Sequence, residues 1–232
     1  MTFNTIRSIN PHDDSLYLNN IFLTFGLGWR TNEHLSHCLS QARKKQIDKV
    51  GLLSVLNSML FAYNKAMVLK NVTCGFNADV LTEIHPRSLF VRIERNVFDV
   101  GRSILQGRLR YTGSISKWWS LKPSTWPFSQ AIMADPAKSV AQQIVDCNKD
   151  IDNVLSKGVA TISANYEDIV NDPKGFVSKV HNKLDGLGWH VEPRRVQFPK
   201  LNKLPKNFKN IPKSILTELK RNLLSMGCDF EY

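Results

Sequence analysis

The feature that most constrains this chain is a strand that runs into a capped helix with almost nothing between them. Residues 88–94 read SLFVRIE, a run rich in β-branched and aromatic residues that predicts a β-strand. Arg95 follows directly, and then Asn96, a residue type suited to the N-cap of a helix. Asp99 stands at the third helical position of a capping-box-like start, and the helix is expected to reach about Arg108. Strand, Arg-Asn, capped helix is the order of an α/β unit whose ligand lies beyond the strand's carboxyl end.

The rest of the chain repeats that alternation. Residues 50–67 predict a helix whose apolar face carries Leu52, Leu56, Met59 and Leu60. A short strand ending in Lys70 is expected at 67–70, and a short helix at 77–84, stopped before Pro86. Residues 118–136, punctuated by Pro123, Pro127 and Pro136, read as a loop or broken segment. A helix over 138–155 ends near Gly158, and a strand at 159–164 leads straight into Tyr166-Glu167-Asp168. Helices at 173–184 and 212–224 enclose a basic, proline-punctuated loop. Among the first residues only a helix from Asn32 is readable. The pattern predicts a single α/β domain over residues 1–232, a parallel sheet flanked by helices.

Composition narrows the partners. The 232 residues carry a net charge of +11, which suits phosphate, sulfate, nucleic acid or an anionic surface. No recognisable nucleic-acid-binding motif accompanies the charge, so no nucleic-acid partner is expected. Cys38, Cys74, Cys147 and Cys228 are scattered without a CxxC pair, which predicts reduced thiols and no structural zinc. Arg7, His12, Asp13 and Asp14 interrupt the first residues, and polar residues break every long apolar stretch. Neither a signal peptide nor a membrane span is expected, and the default location is the cytoplasm.

Within this frame Arg95 and Ser103 form the candidate anion site. Asp99 and Ser103 are four apart and share a helix face, while Arg95 sits at the strand end. A phosphate there would accept a forked pair of hydrogen bonds from Arg95 and one from Ser103. The other reading of the same spacing is an Arg95–Asp99 ion pair with Ser103 facing solvent.

The run IERNVFDVGRSIL resembles the 3′-phosphate-binding motif of the PAPS-dependent sulfotransferases, bacterial type, with Arg95, Asn96, Asp99 and Ser103 at the motif's positions. Val97 stands where that family usually has proline, and Arg92 and Glu94 occupy a strand the family keeps apolar. Three further stretches are similar in the same order: Val68-Leu69-Lys70-Asn71, Trp118-Trp119-Ser120, and Tyr166-Glu167-Asp168 followed by Pro173. The closing helix, Ile215 to Asp229, is similar too. The likeness covers residues 50–232 and is poor over 1–49.

The resemblance implies a P-loop-NTPase-like parallel sheet and transfer of a sulfuryl group from PAPS to a hydroxyl or amine. Arg95 and Ser103 would hold the 3′-phosphate and Tyr166 would lie against the nucleotide. Lys70 would stabilise the leaving phosphate or reach the sulfuryl oxygens; as a bare residue it reads equally as a surface lysine. The acceptor (carbohydrate, small molecule, peptide or lipid) and the general base are not identified, and no metal is implied.

The family's Pro-x-Ser-Gly-Thr-like loop, which wraps the 5′-phosphosulfate with backbone N–H groups, has no counterpart; residues 25–30, with Gly26 and Gly28, come nearest. A domain incomplete at its N-terminus is therefore expected, with a non-catalytic relative that binds PAP or other anions, or a reorganised N-terminal region, as the alternatives. Two further groups have a functional and a plainer reading. Lys200, Lys203, Lys206 and Lys209 form a lid over phosphates or a solvated charge run. Trp118, Trp119 and Trp126 line an acceptor cleft or anchor the core. His34 and His37 share a helical face without a fourth metal ligand and read as surface residues.

Overall fold

The computed structural model describes residues 47–63, 74–189 and 210–229, with isolated positions at 38, 40, 44, 45 and 68. Its elements run α1 (Lys49–Tyr63), a 3-10 turn (Cys74–Asn77), α2 (Ala78–Ile84), β1 (Phe90–Glu94), α3 (Val97–Thr112), α4 (Gln130–Ala134), α5 (Pro136–Leu155), β2 (Thr161–Asn165), α6 (Tyr166–Asn171), α7 (Pro173–Gly186) and α8 (Lys213–Ser225). The chain is therefore α/β, with helices around a two-stranded parallel sheet among the described residues.

Local chemistry explains most of these boundaries. Asn96 caps α3 by accepting hydrogen bonds from the N–H groups of Phe98 and Asp99, at 3.0 and 3.2 Å. The helix continues to Thr112, four residues past the expected end, because no breaker precedes Gly113, whose φ of +74° forms the left-handed terminus. Asp135 caps α5 through the N–H of Lys138, and Pro136 fills the first turn, where its missing N–H costs nothing. The helix thus begins two residues before the expected 138. The segment 118–136 is largely irregular as expected but includes α4, capped by Ser129. The Tyr166-Glu167-Asp168 stretch, resembling a turn in the sequence, opens helix α6, with Glu167 and Asp168 in its first turn, where acidic residues favour helix formation.

The main core joins α3, α5 and α8 through Leu105, Val140, Ala141, Ile144, Leu219 and Leu223, all buried. Gly101 lets α8 come close: a Cβ there would lie 2.8 Å from Leu219 Cδ2. A second cluster packs Leu52 and Leu56 of α1 on Val80 and Ile84 of α2. At its edge the ammonium of Lys44 is buried against the carbonyl of Phe76 (2.6 Å) and Asp79 Oδ1 (2.7 Å). Lys157 takes the other Asp79 oxygen at 3.0 Å. Burial pushes the Asp79 carboxyl up, but these two ammonium groups outweigh it and hold it below its ordinary value.

The sheet is parallel with Phe90 opposite Thr161 and Glu94 opposite Asn165. Phe90 packs beside Val154 and Val159, so the face carrying Phe90, Arg92 and Glu94 is the one turned to α5. The two charged residues in β1 have partners there: Arg92 pairs with Asp152 of α5 and with Glu94, the latter at 3.3 Å. Val91 and Ile93, on the opposite face, are 40% and 57% exposed.

Candidate functional site

The register of the sheet builds the site. Because Glu94 pairs with Asn165, the next residue on each strand, Arg95 and Tyr166, emerges from the same edge, at the carboxyl ends of both strands. The Arg95 guanidinium carbon lies 5.1 Å from the centroid of the Tyr166 ring, within the range of a cation–π contact. Arg95 forms no ion pair among the described residues, and its Nε is buried without a hydrogen-bond partner. The Arg95–Asp99 ion pair left open by the spacing is not formed; Asp99 is buried and bonded to Arg102, Oδ1 to Nη1 at 3.3 Å.

This arrangement decides which group serves an anion. A helix N-terminus attracts anions through its free N–H groups, but in α3 the Asn96 side chain already takes those of Phe98 and Asp99. The Arg95 guanidinium is therefore the strongest donor this edge could offer an anion, and the helix end adds mainly its residual dipole. A charge-assisted fork from Arg95 with the aromatic ring of Tyr166 beneath it is suited to a phosphate joined to a flat group.

Ser103 lies elsewhere along α3. Seven residues beyond Asn96, it stands roughly 10 Å further down the helix axis. Its hydroxyl has no hydrogen bond among the described residues, and it lines a cavity of about 200 Å³ with Gln106, Gly107, Arg110, Tyr111 and Trp119. No direct contact joins it to Arg95 or Tyr166. Lys70, the lysines at 200, 203, 206 and 209, His34, His37 and the glycine-bearing stretch at 25–30 lie outside the described residues.

Trp118 sits in a half-buried aromatic cluster with Trp126 and Phe128, ring centroids 4.0 and 5.5 Å away. Trp119 stacks on Tyr111 at 5.3 Å and forms a wall of the cavity beside Ser103.

Sequence reasoning missed the group that holds this segment in place. Arg108 is fully buried and donates to Ser139 Oγ (2.8 Å), Gln143 Oε1 (3.1 Å) and the carbonyl of Ile115 (3.3 Å). Its guanidinium lies 5.1 Å from the ring of Trp118. Gln143 in turn donates to the carbonyls of Trp119 and Leu121, at 3.1 and 2.8 Å. Burial lowers the Arg108 pKa to about 10, so the group stays protonated at neutral pH. The available signal was an arginine among apolar positions of α3.

The four cysteines are free thiols. Among the described residues no group of His, Cys, Asp and Glu is placed to hold a metal, and no helix is long and apolar enough to cross a membrane. Compared with known proteins, the chain matched no protein-family model, no curated protein and no solved structure.

Proposed function

We propose that this chain is a sulfotransferase domain of the P-loop-like α/β type, using PAPS as sulfuryl donor. The observation that supports the reading most directly is the Arg95–Tyr166 pair. It offers a guanidinium with no carboxylate partner among the described residues, backed by an aromatic ring, at the carboxyl ends of two parallel strands. Ligands of open α/β sheets bind at that edge. The sequence likeness around Arg95, Asn96, Asp99 and Ser103 is what suggests PAPS as the ligand.

In this reading Arg95 grips the 3′-phosphate and Tyr166 packs against the nucleotide. The acceptor's oxygen or nitrogen attacks sulfur in line with the bond to the 5′-phosphate. That bond breaks, PAP departs, and the acceptor's proton passes to a base. Lys70 offsets the charge that develops on the leaving phosphate. As in phosphoryl transfer, positioning and fixed charge supply most of the rate.

A thermal-shift titration with PAP tests the pocket. PAP raises the melting temperature of the wild type and does so far less in Arg95→Ala; an equal shift in both, or none in the wild type, removes the assignment. Transfer of radiolabelled sulfate from PAPS then tests catalysis. PAP binding without transfer to any acceptor would mark a binding relative instead of an enzyme.

A further inference from the structure

A second site stands along α3, apart from Arg95. Ser103, Gln106, Gly107, Arg110 and Tyr111 recur at helical spacing, so they form one stripe of the helix, and Trp119 faces it across the cavity of about 200 Å³. The aromatic wall is built into position. The Trp119 carbonyl is pinned by Gln143, which the buried Arg108 holds. The indole edge rests where only glycine fits, since a Cβ on Gly107 would lie 2.4 Å from Trp119 Cζ3.

Three groups of the cavity, on Ser103, Gln106 and Arg110, have no hydrogen bond or ion pair among the described residues. The Ser103 hydroxyl has no hydrogen bond among the described residues, and the Gln106 Oε1 is buried without a donor. Arg110 is exposed and lies over the ring of Tyr111, at 5.4 Å, with no carboxylate paired to it among the described residues. A buried polar atom without a partner is costly, and a cavity that sets one, Gln106 Oε1, beside the Ser103 hydroxyl, a cation and an aromatic wall is suited to a ligand that satisfies all four.

We propose that this cavity binds a single acidic sugar ring of the hexuronate class. The C–H face of the ring packs on the aromatic wall, ring hydroxyls pair with Ser103 and Gln106, and the carboxylate takes the Arg110 fork. A plain aryl anion would fill the wall and the fork but leave Ser103 and Gln106 unpaired, a defect that sites of this kind discriminate against. The space falls below that of drug-sized pockets, which span about 300–1,000 Å³, so it suits one ring and not a whole nucleotide. If the transferase reading holds, this sugar is the acceptor, a role that rests on that reading; the binding does not.

Calorimetric titration of the full chain with methyl β-glucuronoside, methyl β-glucoside and benzoate tests the class. The glucuronoside binds saturably at millimolar concentrations, and the neutral glucoside and benzoate bind more weakly. Arg110→Gln, a surface change whose melting curve should match the wild type, weakens the glucuronoside about tenfold or more, the value of one charge-assisted hydrogen bond. Gln106→Leu, which removes an amide whose oxygen is buried without a partner, weakens it without lowering stability. Absent saturation, equal affinity for glucoside or benzoate, or unchanged affinity in both variants overturns the proposal. The PAP thermal shift separates the two readings: it should survive in Arg110→Gln and vanish in Arg95→Ala. Sugar binding with no PAP response would remove the transferase and keep this site; a PAP response without sugar binding would remove this site alone.

Discussion

The helical layer and the sheet solve burial in opposite ways. Where α3, α5 and α8 meet, aliphatic side chains fill the interior, and the buried cation of α3, Arg108, has neutral acceptors around it. In the sheet, charged Arg92 faces the helix and is paired there, while apolar Val91 and Ile93 face outward. The difference teaches that strand alternation sorts residues onto two faces but does not say which face a helix will cover. In β1 the docking of α5 on Phe90 and Arg92 makes that choice.

The sharpest way to break this contrast is at Arg108. Replacing it with Ala leaves a cavity and strips donors from Ser139, Gln143 and the Ile115 carbonyl, so denaturant unfolding should show a loss of about 3–5 kcal/mol. Arg108→Met restores the volume but not the donors, and a loss of about 1–3 kcal/mol is expected. A loss below that range in both variants would mean that the buried cation holds nothing together.

Next comes Asp79, where losing the charge costs about 2 kcal/mol at neutral pH through its bonds to Lys44 and Lys157. Because the folded carboxyl is held below its ordinary value, its contribution is fully present above about pH 4 and fades as pH falls through the lower, folded value. Acid unfolding of Asp79→Asn should therefore lack that part of the wild-type slope; identical slopes would refute the link.

A comparable but smaller effect is expected at the α3–α8 contact. Gly101→Ala places a Cβ against Leu219, and overpacking of this kind costs about 1–3 kcal/mol. On the sheet, Ile93→Thr should change stability by only about 0.5 kcal/mol either way. A loss there as large as at Gly101 would erase the distinction between the two regions. The smallest effect is chemical. Burial pushes the Cys74 thiol up to about 12, so alkylation of the native chain at neutral pH should be slow there and fast only after unfolding.

Much of the architecture was legible because it is written locally. Asn96 announced its helix, the strands at 88–94 and 159–164 were found within two residues, and their parallel pairing followed from the intervening helices. Asp135 and Gly113 carry equally local signals, and they set the two helix boundaries that differ from expectation. Of the candidate site, Arg95 and Tyr166 were legible as strand-end residues, and the sheet brings them together. Ser103 was expected to serve the same anion as Arg95; in the structure it stands roughly 10 Å beyond Asn96 along α3 and lines the cavity with Trp119. The cavity beside it could not be read at all: Gln106, Arg110 and Trp119 meet through the fold of residues 113–129, which long-range hydrogen bonds from α5 determine.

The meeting of Arg95 with Tyr166 has a consequence for folding order. The two residues come together only when the chain has closed the long connection between β1 and β2, and such non-local closure carries an entropic cost that local helix contacts do not. The anion recognition proposed for that edge therefore needs a closure that the α3–α5 contact does not. A partly opened molecule that keeps α3 packed on α5 would retain its helical signal and lose the ligand, so binding should fail on heating before the circular dichroism does.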